Sequence, residues 1–264
     1  MIEYFDTHCH IQFKSYPLDT DQVIKDAVAS GVTKMLSVGC TLEDSKLAVK
    51  LARHCKNIWA AIGLHPHEAK KYVNNNDELQ AFRDLAGSDR VVAVGEIGLD
   101  YYYGHSSRQD QLDLLRYQLT IAEEFRLPIL FHVRGSKAFD GQDVWRDFWP
   151  IFDEFKPKGV IHSFSSTPKE LEAILKRDLF VGLNGIMTFT KNSSQLESAK
   201  QVPLDNILLE TDAPFLTPSP FRGTICQPKH VVDTATFLSD LRGETLQQIA
   251  ESTTKNANRL CNLV

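Results

Sequence analysis

Short runs of apolar and β-branched residues recur along the chain at intervals of about thirty residues. They fall at 4–8, 34–39, 58–63, 91–97, 128–133, 159–163, 179–183 and 207–210. Most are nearly continuous rather than alternating, the pattern of parallel strands covered on both faces. Between them the apolar positions switch to helical spacing, with start and stop signals. Thr20 precedes Val23, Ile24, Ala27 and Val28, and Gly31 ends the run. Thr41 and Asp44 open a helix carrying Leu47, Ala48 and Leu51. The stretch 108–125 has apolar residues at 112, 115, 119, 121, 122 and 125. Thr167-Pro168-Lys169-Glu170 combines an N-cap, a proline at the first helical position and a capping glutamate. Three further helical stretches are expected at 228–241, 244–251 and 254–262. Eight β/α units within 264 residues predict an α/β fold, a TIM (β/α)8 barrel, as one domain over 1–264. An open doubly wound sheet is the alternative. Gly95-Glu96-Ile97-Gly98 is not the glycine fingerprint of a dinucleotide site in such a sheet.

Composition narrows the function classes. Apolar residues make up 42% and charged residues 24%, as in ordinary globular domains, so disorder is excluded. A net charge of −5 argues against a wide basic face for coating nucleic acid. It leaves room for an enzyme that grips a few phosphates. The five cysteines are odd in number and form no CxxC pair, so a disulfide framework is not expected and a cytoplasmic location is. The start, Met1-Ile2-Glu3-Tyr4-Phe5-Asp6, does not read as a signal peptide. No apolar stretch approaches the ~18–20 residues of a membrane span.

Candidate chemistry gathers at the C-terminal ends of the expected strands, where barrels build their sites. The first strand ends Asp6-Thr7-His8-Cys9-His10, and the side-chain period of two aims His8 and His10 the same way. The third ends in His65-Pro66-His67 and the fourth in Gly95-Glu96-Ile97-Gly98-Leu99-Asp100. His132 lies in the fifth, His162 in the sixth, and Glu210-Thr211-Asp212 follows the eighth. A lone histidine in an apolar strand is more often a core residue, and a carboxylate at a strand end is more often a cap. Six of the nine histidines converging with several carboxylates is another matter. Unpaired charges there are costly, and a bound cation removes the cost. Mixed imidazole and carboxylate donors suit Zn, Mn, Fe or Mg. His8, His10, Glu96, His132, His162 and Asp212 outnumber the needs of one tetrahedral ion. Two ions ~3.5–4 Å apart would use them all and suit hydrolysis of phosphodiesters.

With these motifs in order, the chain resembles the TatD family of metal-dependent deoxyribonucleases, a branch of the amidohydrolase superfamily. The likeness is carried by Asp6-Thr7-His8-Cys9-His10, Gly63-Leu64-His65-Pro66-His67, Gly95-Glu96-Ile97-Gly98-Leu99-Asp100-Tyr101, Leu127-Pro128 with His132 and Arg134, His162-Ser163-Phe164-Ser165, and Leu208-Leu209-Glu210-Thr211-Asp212-Ala213-Pro214. The tail from Thr253 to Leu260 adds to it. The resemblance implies hydrolysis of phosphodiester bonds in DNA, as a 3′-5′ exonuclease on single-stranded ends. It implies one to three divalent ions at the strand ends, of which two (Mg, Mn or Zn) are expected here. His8 and His10 would hold the first with Glu96 and Asp212. Glu96 would bridge to a second held by His132 and His162, and Asp212 would orient or deprotonate the attacking water. The chain departs from the family pattern at Ser163 and Ser166, at Thr224 to Gln227, and over 135–149.

Further residues are candidates for the substrate. One ring of Tyr101-Tyr102-Tyr103, with Tyr101 foremost, would stack on a base, or else pack the barrel mouth. Arg134 and Arg222 would clamp a phosphate, or else pair with Asp100 or Glu210. His65 and His67 would sit behind the ligands, touch the substrate, or hold a third ion. Lys137 is a weaker phosphate candidate, and Cys9, pointing away from its histidine neighbours, is read as packing. DNA ends are the expected partner, with no membrane and no obligate protein partner. The rival reading is an amidohydrolase-type enzyme for a small amide, lactone or phosphoester. A barrel that only binds a partner is disfavoured by the intact ligand set.

Overall fold

A computed structural model of the chain describes residues 2–135 and 143–263. Its strands are β1 (Tyr4–Cys9), β2 (Val32–Val38), β3 (Ile58–Ile62), β4 (Val91–Asp100), β5 (Ile129–Arg134), β6 (Gly159–Ile161), β7 (Phe180–Leu183) and β8 (Ile207–Leu209). Every expected strand is present. Their order in the sheet follows the chain from β1 to β8. The registered pairings are parallel, and a parallel bridge joins Cys9, at the end of β1, to Ala213 after β8. This is the order of a (β/α)8 barrel; a doubly wound sheet reverses its order part-way.

The helices are α1 (Thr20–Ala29), α2 (Leu42–His54), α3 (Ala69–Tyr72), α4 (Asn76–Ala86), α5 (Arg108–Phe125), α6 (Val144–Phe155), α7 (Pro168–Leu175), α8 (Ser193–Gln201), α9 (Val231–Arg242) and α10 (Leu246–Leu260). Two details differ from expectation. The cap of α1 is Asp19, whose carboxylate accepts from the Gln22 N–H at 2.8 Å. Thr20 instead donates to the Ile11 carbonyl. The last two expected helices are one, α10. The helix runs through 252–253 because Ile249, Ala250, Thr253, Asn256, Ala257 and Leu260 form one buried face at helical spacing.

The chain packs as two compact units, one drawn from 1–37, 55–58 and 160–264, the other from 38–54 and 59–159. In the first, α10 packs against β1 and β8 through buried Ile249, Ala250 and Ala257. In the second, α5 packs against β4 and buries Leu114, Leu115, Leu119 and Ala122. The same face of α5 carries Gln111 and Gln118, seven residues apart and therefore aligned. Each clamps the backbone at a strand end. Gln118 accepts from the Leu64 N–H at 2.7 Å and donates to the Leu64 carbonyl at 3.0 Å. Gln111 does the same for Asp100, at 2.8 and 3.1 Å. Buried amides so paired cost little, and they fix the chain just where β3 and β4 hand over to their loops.

One glycine is decisive in this unit. Gly98 is opposite His132 in the β4–β5 register. A Cβ there would lie 1.9 Å from the His132 carbonyl oxygen, at a φ of +150°. The two strands approach this closely only because position 98 has no side chain. Gly98→Ala should therefore destabilise the fold by about 1–3 kcal/mol through overpacking. Thermal melting should show a fall of roughly 2–10 °C; an unchanged melting temperature would count against this role.

Candidate metal centre

The first unit gathers three imidazoles around one carboxylate. β1 is buried along its length, and its period of two places Asp6 and His8 on one side, with His10 continuing the row. The Nε2 atoms of His8 and His10 are 3.2 Å apart. Asp212 Oδ1 lies 3.3 Å from His10 Nε2, 3.8 Å from His8 Nε2 and 3.7 Å from His162 Nε2. The His8 and His162 rings stack with centroids 3.6 Å apart. Burial would raise the Asp212 carboxyl, but the imidazoles of His10, His162 and His8 outweigh it and hold the group below the ordinary carboxylate range. Asp212 itself has φ of 60°, a left-handed conformation that aspartate tolerates better than most residues.

Two buried carboxylates hold this arrangement from behind, and sequence reasoning missed both roles. Asp6 accepts from the Thr211 N–H at 2.9 Å, the Thr211 hydroxyl at 2.6 Å and the His8 N–H at 3.3 Å, tying β1 to the residues before Asp212. Burial pushes its carboxyl up to about 8, against the pull of those hydrogen bonds. Glu210 Oε2 lies 3.1 Å from His162 Nδ1, while Oε1 accepts from the Ser163 N–H at 2.6 Å and the Asn184 amide at 3.2 Å. With one ring nitrogen facing Glu210, His162 turns the other towards Asp212. A carboxylate behind a ligating histidine sets its tautomer and raises its basicity. The only hint in the sequence was the strand-end position of Asp6 and Glu210, which caps and ion pairs share.

The second unit carries its own cluster. His132 Nδ1 is 2.6 Å from Glu96 Oε1, and His132 Nε2 is 3.0 Å from Asp100 Oδ2. Burial opposes the charged ring, but Glu96 and Asp100 together carry His132 up to about 9. Asp100 Oδ2 also lies 3.0 Å from His67 Nε2, and Oδ1 accepts from the Tyr102 and Tyr103 N–H groups. Although it is buried, the His132 hydrogen bond and the nearby His67 ring hold Asp100 well below the usual carboxylate range. His65 is buried, which pushes its ring well below the ordinary value. Its Nδ1 accepts from the His67 N–H at 3.2 Å, so the neutral ring carries its proton on Nε2, 3.7 Å from Glu96 Oε1. His65 thus reads as a positioning residue for Glu96.

The donor sets fit divalent cations. His8, His10 and Asp212 bring one ligand atom each within 4.8 Å of one another, as do His8, His162 and Glu210, and His65, Glu96 and His132. Neutral imidazole and ionised carboxylate are the donors that Zn, Mn and related ions take. In both clusters a ligand nitrogen is backed by a carboxylate at the opposite ring nitrogen, the usual surroundings of a metal-binding histidine.

The remaining candidates divide. Tyr101 is 0% exposed, and its hydroxyl donates to Asp147 at 2.7 Å. The expectation that it stacks on a base is corrected, because a ring buried on all sides has no face to offer. Tyr103, two residues on, is 50% exposed. Arg134 is exposed and lies over the Tyr102 and Tyr103 rings. Arg222 is exposed, lies over the Phe189 ring and donates to the Thr217 carbonyl at 2.7 Å. Asp100 and Glu210 face histidines instead of these arginines. Cys9 is buried, its thiol 3.5 Å from the Leu36 carbonyl, in keeping with packing. Lys137 lies outside the described residues.

The family model for the TatD related DNases matches residues 5–262. The chain belongs to the TatD-related DNase family. An uncharacterized metal-dependent hydrolase of Bacillus subtilis, YabD, is 33% identical over 259 residues, 97% of this chain and 98% of that protein. The 3′-5′ ssDNA/RNA exonuclease TatD of Erwinia tasmaniensis is 33% identical over 271 residues, 98% of this chain and 100% of that protein. The crystal structure of YJJV, a TatD homolog from Escherichia coli, superposes with a TM-score of 0.89 at 27% identity, covering 100% of this chain and 99% of that one. The chain is thus a metal-dependent hydrolase of the TatD family, with that family's barrel fold. Among the described residues no helix is long and apolar enough to cross a membrane.

Two outcomes follow from these contacts. Glu210→Gln should weaken cation binding about 10–100-fold by loosening His162; metal titration calorimetry showing wild-type affinity would contradict the positioning role. The second concerns Asp147, whose carboxyl takes Arg108 Nε at 2.7 Å and Nη2 at 2.6 Å as well as Tyr101. Hydrogen bonds from Arg108 lower its pKa, against burial. Its stabilisation is therefore present above the unfolded value, about 4, and is lost as pH falls through the lower folded value. The difference in melting temperature between wild type and Asp147→Asn should be flat at neutral pH and shrink below about pH 4. A gap that widens with acid would reverse the sign.

Proposed function

We propose that this chain hydrolyses phosphodiester bonds at the single-stranded ends of DNA, as a 3′-5′ exonuclease. The observation that carries the proposal is the Asp212 carboxylate, held ionised among His8, His10 and His162. The names of its relatives support it, among them a 3′-5′ ssDNA/RNA exonuclease of nearly equal length.

In this reading His8, His10 and Asp212 hold one divalent cation and Glu96 with His132 a second; His162, which the family resemblance groups with the second ion, is read with the first because its Nε2 lies 3.7 Å from Asp212. Mg, Mn or Zn would lower the pKa of water and neutralise charge developing on the phosphoryl oxygens. The chain's own groups do the rest. Asp212 Oδ1 or Oδ2 accepts a proton from the attacking water, a task that suits a carboxylate kept ionised at neutral pH. Glu210 holds His162, and Asp6 holds the β1 and β8 ends together. His65 steadies Glu96. Arg134 and Arg222, both exposed, supply guanidinium groups for phosphates of the strand.

We also propose that the chain acts as one domain over 1–264, in the cytoplasm and without an obligate protein partner. None of the five cysteines is in a disulfide, which suits a reducing compartment.

The test is product sizing on end-labelled single-stranded oligonucleotides with manganese-loaded protein. Stepwise loss from the 3′ end is expected. Asp212→Asn should lower turnover about 10²–10⁴-fold, the usual contribution of a positioned base. Undiminished nuclease activity in that variant would overturn the proposal. Cleavage of amides or lactones in place of DNA would favour the rival reading, to which the net charge of −5 lends some support.

A further inference from the structure

Beyond β4 the chain makes a tight turn that exposes two rings instead of burying them. Tyr103 and His105 are exposed, with their rings nearly parallel at 19° and centroids 5.5 Å apart. Gly104 between them has a φ of 66°, the left-handed conformation that lets successive side chains turn to one side. The His67 ring stands edge-on to both, 5.4 Å from Tyr103 at 87° and 4.6 Å from His105 at 68°. His67 is in turn fixed to Asp100 at 3.0 Å. The Arg134 guanidinium sits 5.0 Å from the centre of the Tyr103 ring.

Half-exposed aromatic rings cost free energy unless something covers them, and this pair is not loose. It is anchored through His67 to Asp100, and Asp100 reaches Glu96 through His132. Two stacked rings with a guanidinium over one of them have the chemistry of a nucleotide subsite: a ring stack that a base can extend and a cation for its phosphate.

We propose that Tyr103 and His105 form the platform on which an unpaired nucleobase stacks, with Arg134 taking the adjoining phosphate. This rests on the nuclease reading above and deepens it by assigning the element that distinguishes an unpaired end. Inside a duplex both faces of a base are stacked, and at its end a base is still held in the plane of its pair, so the platform favours a base that strand fraying or single-strandedness has released. Sequence preference should be slight, because every base offers a π-face.

The test is binding, read separately from cleavage. Manganese-loaded protein is titrated against a fluorescein-labelled oligothymidylate with phosphorothioate linkages that resist hydrolysis, and anisotropy is followed. Tyr103→Leu should weaken binding about tenfold, while Tyr103→Phe, which keeps the ring, should stay within about twofold of wild type. Wild-type protein should lose a similar factor on an oligonucleotide whose 3′-terminal residue is abasic, a comparison that needs no variant to fold. Equal affinity of Tyr103→Leu and wild type, or of wild type for the abasic and intact oligonucleotides, would overturn the platform. Ring-dependent binding by a protein that fails to cleave ordinary single-stranded DNA would uphold the platform and defeat the nuclease reading alone.

Discussion

Burying a carboxylate beside three imidazoles is the constraint on which the first unit depends. An isolated ion at the position of Asp212 would be expensive to desolvate. Here each charge is answered by a neighbour: His8, His10 and His162 face Asp212, and Glu210 faces the far side of His162. Much of the surrounding backbone serves this balance. Asp6 ties the start of the sheet to its end through Thr211. Gly182 leaves the space that Glu210 fills, since a Cβ there would lie 2.3 Å from the Glu210 carboxylate. The same pairing that makes burial tolerable keeps the carboxylate ionised and therefore available as a cation donor or proton acceptor.

The second unit solves the same problem with a chain of alternating groups. Glu96, His132, Asp100 and His67 follow one another at hydrogen-bonding distance. His132 in the middle is held on both sides, by Glu96 and by Asp100. Gln111 and Gln118 of α5 fix the backbone on which Asp100 and the residues before His65 are mounted. Rigidity of the frame and exposure at its edge are complementary. The rings at Tyr103 and His105 stay open to solvent while His67 prevents them from collapsing inward.

Hydrolysis by a cluster of this kind needs few contacts with the substrate. An acidic chain with a handful of exposed arginines will not hold nucleic acid by a broad electrostatic face. If the proposed substrate is right, the grip would come from cations at the site, from one or two guanidinium groups, and from stacking. On the proposed nuclease reading, discrimination between paired and unpaired ends would rest on access to a ring face instead of on recognition of a sequence.

Much of this was legible in the sequence. Periodicity alone placed the eight strands and most helices, because parallel strands buried on both faces are continuous apolar runs and capping residues are local signals. The period of two in a strand was enough to pair His8 with His10. Other features were not readable locally. Tyr101, Tyr102 and Tyr103 are the same residue type in succession, and only the packing around Asp147 buries the first while the turn at Gly104 exposes the third. The helices expected at 244–251 and 254–262 are one, joined because Thr253 is buried on the same face as Ile249 and Ala257. Asp6, Glu210 and Asp100 look like strand-end caps, and their role behind the histidines appears only when the side chains meet across strands. The sequence by itself determined the elements, their order and the types of donor available. The tertiary structure decided which donors face one another, since that depends on strand register and on close approaches such as Gly98 to His132, which no local pattern encodes.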